Sequence, residues 1–535
     1  MNESTIVVQR ACGMALDRLG TLLCADSSSG TFGCVDRDFW AYRTLRGFAS
    51  APYQHVMSGL AYLAGMQDEF QRQNLRADAL CVLDFWIRSR NANGSANEWY
   101  RNEQSYCATA MGLHSATETL WILRNDLSAS DLNRRCGQLR RSELWLRGRS
   151  NPHAANQNVA SCAARFVLAT LLDDADMRQS AVASLQELMR DVEIRGYLAE
   201  YAGVDLGYSL LSIDLLVAAH QAGLNECEPL VAGLCRQLNL LVGSRGDLPF
   251  VLGSRGTTHK FFGGVHYFAN IVESAALFRQ LVVETQPTAQ AEAIVRYDDR
   301  YLMTFALSAL SRRLVFECEP NRFPSVETSK SQELPQLPIL RANIAGGSFF
   351  THVEFGHGVH FVSASGDQVT HLGYLFTDNA GRRWSSLVRQ ANVDQGYAFT
   401  RVSDALPLEG FEIGYRVLFT FCRVPIVARL VSWWARIRLS RPKETLRMSF
   451  RRKVVQSSDS VDVVDRIRVQ GRMVGVVTAI EFFPYHSPSQ ITENSDKLHR
   501  RRFMRSIDQV SGDNEFTIHW QITSESGAHV MVDGQ

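Results

Sequence analysis

The stretch LGYSLLSIDLLVAAHQAG, residues 206–223, decides the fold class. Leu210, Leu211, Asp214 with Leu215, and Ala218 recur at steps of three and four, the period of an α-helix that buries one face. ASAPYQHVMSGLAYLAG and NVASCAARFVLATLLDD carry the same period, so the chain up to about residue 318 is expected to be helical. Beyond it the pattern changes to short β-branched and aromatic runs such as GVHFVSAS, VDVVDRIRVQ and GVVTAIEFF, separated by turn residues. Between the two lies CEPNRFPSVETSKSQELPQLPILRANIAGG, with four prolines and little apolar period, which reads as a linker. The expected architecture is α+β and multidomain. An N-terminal α/α toroid, an incomplete barrel of helical hairpins, spans 1–318; a linker spans 319–345; an antiparallel β-sandwich spans 346–535.

Composition narrows the function. With 535 residues, 45% apolar and 21% charged, the chain can bury a large core. A net charge of +1 argues against a general polyanion binder, and no nucleic-acid partner is expected. Eleven scattered cysteines without a CxxC pair argue against a disulfide framework or a thiolate metal site and suit a reducing compartment. No phosphate-binding loop, dinucleotide fingerprint or zinc ligand set appears, so neither metal nor cofactor is expected. The opening MNESTIVVQRACGMALDRLG lacks the features of an export signal, and a cytoplasmic location is expected.

A slower rhythm runs through the helical half. Glycine-bearing loops recur around Gly94, Gly148, Gly196 and Gly246, at intervals of 54, 48 and 50 residues. That is about the length of two helices with their loops, so each repeat reads as a hairpin and equivalent loops fall on one rim. The first loop carries Glu98, Trp99, Tyr100 and Glu103; the second, NPHAANQN, carries His153, Asn156 and Asn158. The third, EYAGVDLGYS, holds Glu200, Tyr201, Asp205 and Tyr208, and the fourth holds Arg255, His259 and His266. Aromatic faces, amides, phenols and a few carboxylates on one rim suit a sugar chain, whose ring faces stack while its hydroxyls need many hydrogen-bond partners.

A helical toroid followed by a β-sandwich, with NPHAANQN opening a helix and EYAGVDLGYS some fifty residues on, resembles the heparinase II/III-like polysaccharide lyases and their alginate-lyase relatives. The resemblance implies an acidic polysaccharide or oligosaccharide as partner. It also implies a neutralising Asn or His in the first of these motifs, a Tyr acting as base or acid in the second, and a His from the β-domain side. The last has no clear counterpart: His357, His360 and His371 do not form the compact His-x-His-Asp block of that family.

β-Elimination at a uronic acid removes a proton beside a carboxylate, whose charge opposes the step. Amide donors backed by a helix N-terminus can hold that carboxylate. Asn156, Tyr208 and His266 are therefore the expected catalytic residues. Tyr208 lies 52 residues after Asn156, and nearby cations such as Arg255 are expected to lower its pKa. Asn158, His153, Trp99, Tyr100, Glu98, Glu200, Tyr201, Arg255 and His259 are expected to bind substrate. N-capping is the plainer role for Asn156 and Asn158. Three other readings fit the same residues: a glycoside hydrolase using pairs among Glu98, Glu103, Glu200 and Asp205, a uronate epimerase, or a glycan-binding protein without activity.

CRVPIVARLVSWWARIRLSRPK, 422–443, has both helical and strand spacing; the neighbouring strands favour a strand, and no membrane contact is expected. LHRRRFMRS, 498–506, reads as a solvated basic loop or charged edge strand. Sequence leaves the number of copies in the assembly open.

Overall fold

The structure, a computed structural model, describes residues 3–317 apart from 43–46, 202, 244, 258–259 and 286–296. Beyond 338 it describes residues 421–422 and 424–431 and the strands at 339–344, 347–352, 359–362, 368–371, 374–377, 383–385, 391–394, 397–404, 445–456, 460–470, 479–482, 505–506, 515–523 and 527–531. The helices are α1 Glu3–Leu22, α2 Arg37–Trp40, α3 Val56–Ala64, α4 Glu69–Ser89, α5 Tyr106–Leu123, α6 Ala129–Leu146 and α7 Ala155–Leu172. They continue with α8 Ala175–Arg195, α9 Leu206–Leu215, α10 Val217–Gln221, α11 Glu228–Leu240, α12 Gly263–Phe268 and α13 Glu273–Phe278. Asp299–Tyr301 then passes through a π turn, Leu302–Ala306, into α14, Leu307–Glu317. No described helix is long and apolar enough to cross a membrane.

Alternate helices form an inner ring. α3 packs on α5, α5 on α7, α7 on α9, α9 on α12, α12 on α14, and α14 returns to α3. The ring is therefore closed rather than incomplete, and its last seam shows why. Gly59 of α3 lies so near α14 that an added Cβ would stand 3.0 Å from Ser308 N, while the Ser58 and Ser308 hydroxyls bond at 3.0 Å. α4, α6 and α8 flank the inner helices from outside, α11 sits against α9 and α13, and α1 covers α14. Position in the ring explains composition: every residue of α3 is buried, whereas only Met177, Ala181 and Leu185 of the 21-residue α8 are.

At the centre of the ring a buried ionic knot ties five inner helices. Arg312 of α14 donates from Nε to Glu118 Oε1 of α5 at 3.0 Å, and from its two terminal nitrogens to Glu118 Oε2 and Asp214 Oδ2 of α9. Tyr62 of α3 donates to Glu118 Oε1 at 3.1 Å, and Gly264 N to Asp214 Oδ1 at 2.7 Å. Burial acts to raise the Glu118 carboxyl, but Arg312 prevails and holds it below the ordinary range.

Many helix starts follow local chemistry. Asp68, Ser105, Ser128, Asp174, Asp205 and Asp298 each accept the N–H three residues on. α7 begins behind Ala154, which has no side chain to do so.

The strands all pair antiparallel, in two sheets among the described residues. One runs β1 Ile339–Ile344, β2 Gly347–His352, β3 Val359–Val362 and β4 Gln368–His371 in that order. β1 falls within the stretch expected to be linker. This sheet meets the helical part directly, since Ile339 and Phe350 join the main core and Arg341 donates to Leu240 O at 3.4 Å. The larger sheet is built on the long hairpin Thr445–Gln456 with Ser460–Gln470, and Glu515–Thr523 pairs along the latter's other edge. Of the basic run 498–506 only Arg505–Ser506 is described, as a strand.

Residues 425–431 form a helix, not the expected strand. Ala428 N donates to Val424 O at 3.0 Å, the helical bond. Cys422, Ala428 and Val431 bury against Tyr100, whereas Val424, Ile426 and Leu430 are 51%, 71% and 59% exposed. The alternation that suggested a strand therefore does not define one buried face.

Candidate functional site

Each recurring loop follows an outer helix: α4, α6, α8 and α11. Their landmark glycines Gly94, Gly148, Gly196 and Gly246 all have left-handed backbone, with φ of 88°, 71°, 79° and 73°. Glycine adopts that conformation without the steric cost other residues meet, which is why the sequence rhythm tracks it.

Backbone contacts stitch the second, third and fourth loops into one rim. Ala154 bridges Glu200, Tyr201 N donates to His153 O at 2.5 Å, and Ser254 N to Val204 O at 2.8 Å. Asp205 adds a second stitch. Its Oδ1 caps α9 through Tyr208 N at 3.0 Å, while Oδ2 accepts Arg255 N at 3.0 Å and Thr257 N at 3.2 Å. Burial raises its carboxyl to about 6 against those hydrogen bonds.

Glu200 supplies the cap that Ala154 cannot. Its side chain is fully buried, and Oε1 accepts the N–H of Asn156 in the first turn of α7 at 2.6 Å. The Asn156 side chain stands near it and favours its charged form, against burial. The helix end expected to hold a substrate carboxylate is therefore occupied by a carboxyl group of the protein itself.

The rest of NPHAANQN is closed on itself. Asn158 spans the backbone of Asn151, accepting its N–H and donating to its carbonyl, both at 2.8 Å. Asn151 in turn donates to Gln157 at 2.8 Å and accepts His153 N at 2.9 Å. These amides shape the loop, and His153 remains exposed on it.

Arg255 lies with its guanidinium 4.2 Å from the Tyr201 ring centre. It forms no ion pair among the described residues, and its Nε is buried without a hydrogen-bond partner there. Tyr208, half-buried, stands close enough to feel Arg255, Asp205, Glu200 and Tyr301. Burial first, then the Asp205 carboxylate, push its hydroxyl well above the ordinary tyrosine value, and Arg255 only partly opposes them. The expected lowering is thus reversed: two nearby carboxyl groups and a desolvated site outweigh one cation.

The first loop joins through groups the sequence did not single out. Arg300 pairs with Glu98 at 2.8 Å and lies 4.8 Å from the Trp99 ring centre, leaving Trp99 55% exposed. Glu103 Oε2 accepts Glu98 N and Trp99 N at 2.7 Å each, and burial raises its carboxyl to about 7. Tyr301, next to Arg300, is raised to about 12 by burial, with Arg300 and Arg255 opposing. Cys107 senses Glu98, Arg300, Glu103 and Glu200, which places the first and third loops side by side. Asp299, Arg300 and Tyr301 have no landmark glycine before them and no repeat partner, so only their adjacent charge and aromatic character could have drawn notice.

Tyr100 turns away to pack on the helix at 425–431, and Asn102 donates to Cys422 O at 3.2 Å beside it. His266 sits in α12, 2% exposed, with Arg313 and Arg279 as its charged neighbours rather than the rim groups. Burial keeps it neutral. His259 and His357 lie outside the described residues. His360 is buried against Phe350, its ring 6.2 Å away, and burial lowers it to about 4. No group of three metal-ligating side chains occurs among the described residues.

Below the rim the ring encloses a small polar cavity lined by His55, Met111, His114, Asp214, Thr304 and Arg312, among others. The helices that carry Cys107, Tyr208 and Tyr301 at the rim also supply this lining further along.

No protein family's model matches the chain, and no curated protein matches it. Among solved structures it is similar to the Streptomyces coelicolor A3 chondroitin AC lyase in complex with chondroitin sulphate, at 10% identity and TM-score 0.45, over 90% of this chain and 68% of that one. A mutant of the same lyase aligns with TM-score 0.42 at the same identity and coverage.

Proposed function

We propose that the chain is a polysaccharide lyase of the heparinase II/III-like kind, cleaving a uronic-acid-containing glycan by β-elimination, with a β-sandwich completing the expected architecture. One observation carries the reading: Arg255, a half-buried cation without an ion-pair partner among the described residues, lies over the Tyr201 ring and within electrostatic reach of the Tyr208 hydroxyl. In this reading Arg255 holds the uronate carboxylate and stabilises the charge that develops as the neighbouring C–H bond breaks. Tyr208, protonated at neutral pH, gives its proton to the departing glycosidic oxygen. The α-proton goes to a rim group able to accept it, for which exposed His153 is the candidate. Trp99 offers a stacking face.

The hydrolase reading is less well supported. Glu98, Glu103, Glu200 and Asp205 are each engaged by backbone N–H groups or by Arg300. A glycosidase needs two carboxyl groups facing the bond.

The test is incubation with a panel of uronic-acid polymers while watching ultraviolet absorbance of the unsaturated product. Tyr208→Phe should lower kcat by about 10²–10⁴, and Arg255→Ala should abolish saturation, with native circular dichroism in both. New reducing ends without absorbance would mean hydrolysis. Activity retained by both variants would remove the assignment.

A further inference from the structure

Glu200 is fully buried and central to the rim, yet it touches no cation by ion pair among the described residues. One carboxyl oxygen holds the first turn of α7, and the other, Oε2, is buried with no hydrogen-bond partner among the described residues. Its backbone bridges Ala154 on one side and Gly203 on the other, and its carbonyl accepts the Ser254 hydroxyl. The charged and titratable groups around it are Asp205 and Tyr208 from the α9 end, Arg255 from the fourth loop and Cys107 from α5; Asn156 faces it from α7. A carboxylate there would place a second negative charge beside Asp205 with one oxygen unsolvated, an arrangement that burial strongly disfavours.

We propose that Glu200 is a positioning residue held as a neutral carboxylic acid, clasping α7 to the Tyr201–Tyr208 loop and so fixing where Arg255 and Tyr208 stand. The inference rests on the lyase reading for its catalytic consequence, but not for its protonation. Burial raises the carboxyl well above its ordinary value, Asp205 adds to the rise, and Asn156 and Arg255 oppose it. The sign follows: the stabilising effect is complete below the ordinary carboxyl range and is lost as pH rises through the folded-state value.

The experiment compares the full chain with Glu200→Gln and Glu200→Ala by denaturation across pH, with no substrate present. Gln keeps an acceptor for Asn156 N and carries no charge, so its folding equilibrium constant should gain on wild type by up to about tenfold per pH unit above the ordinary carboxyl range. Ala should be less stable than Gln throughout. On any polymer that is turned over, Gln should stay within about threefold of wild type at neutral pH and keep its rate at alkaline pH where wild type falls. Parallel stability curves for wild type and Gln would overturn the neutral clasp. A loss of rate in Gln as deep as that in Tyr208→Phe would overturn the positioning role. If no polymer is turned over, the lyase reading fails while the stability comparison still decides the protonation.

Discussion

Removing the guanidinium of Arg312 should be among the most damaging single changes in the helical ring. Arg312 is the cation shared by Glu118 and Asp214, and all three side chains are under 5% exposed. Arg312→Met keeps much of the volume but leaves two carboxylates buried without their counter-ion. Breaking a buried pair in this way costs about 3–5 kcal/mol, a large share of the roughly 5–15 kcal/mol that holds a typical domain together. At roughly 2–4 °C per kcal/mol for a large domain, the melting temperature should fall by about 6–20 °C. Helical circular dichroism against temperature or urea reads this directly. A second leg separates charge from packing. Adding Glu118→Gln and Asp214→Asn retains acceptors for Tyr62 and Gly264 while removing both charges, so the triple variant should recover at least half of the loss. Acid should also narrow the gap between wild type and Arg312→Met. Glu118 is depressed in the folded wild type, so its contribution is present above the ordinary carboxyl range and fades as pH falls through the folded value. A loss under about 1 kcal/mol, or a triple variant no better than the single one, would refute the view that the knot's charges are tightly interdependent.

Other outcomes follow from the rim. Glu103, raised to about 7, should make wild type lose stability as pH climbs from the ordinary carboxyl range through about 7, a slope that Glu103→Gln removes in equilibrium denaturation. Gly94→Ala combines φ of 88° with a Cβ placed 2.4 Å from Arg141 C, so a loss of about 1–3 kcal/mol is expected by urea titration. Asn158→Ala should cost about 1–3 kcal/mol through the freed Asn151 backbone, yet leave kcat unchanged in folded protein, because its amide serves the loop.

How much of this was legible beforehand differs from residue to residue. The helical period of 206–223 and the glycine spacing pointed to hairpins and a shared rim because helical period and left-handed turns are local properties. The local period in 422–443 fitted two structures, and packing of Cys422, Ala428 and Val431 on Tyr100 selected the helix. Asn156 stood at a helix entrance as expected. What engages it comes from 44 residues further along the chain, and no local pattern announces that Ala154 is capped by Glu200.

The sequence by itself determined most of the helical stretches of the first half, the glycine turns between them and which polar residues gather at the loop ends; it did not place β1, which lies inside the expected linker, or the helix at 425–431. Tertiary structure alone decided charge and protonation. Burial raised Tyr208 where a nearby arginine suggested lowering, directed a carboxyl of the protein to the site meant for a substrate, and left Arg255 without an ion pair among the described residues. The physical reason is that desolvation and Coulomb forces depend on distance in space and on the surrounding medium, neither of which is set by neighbours along the chain.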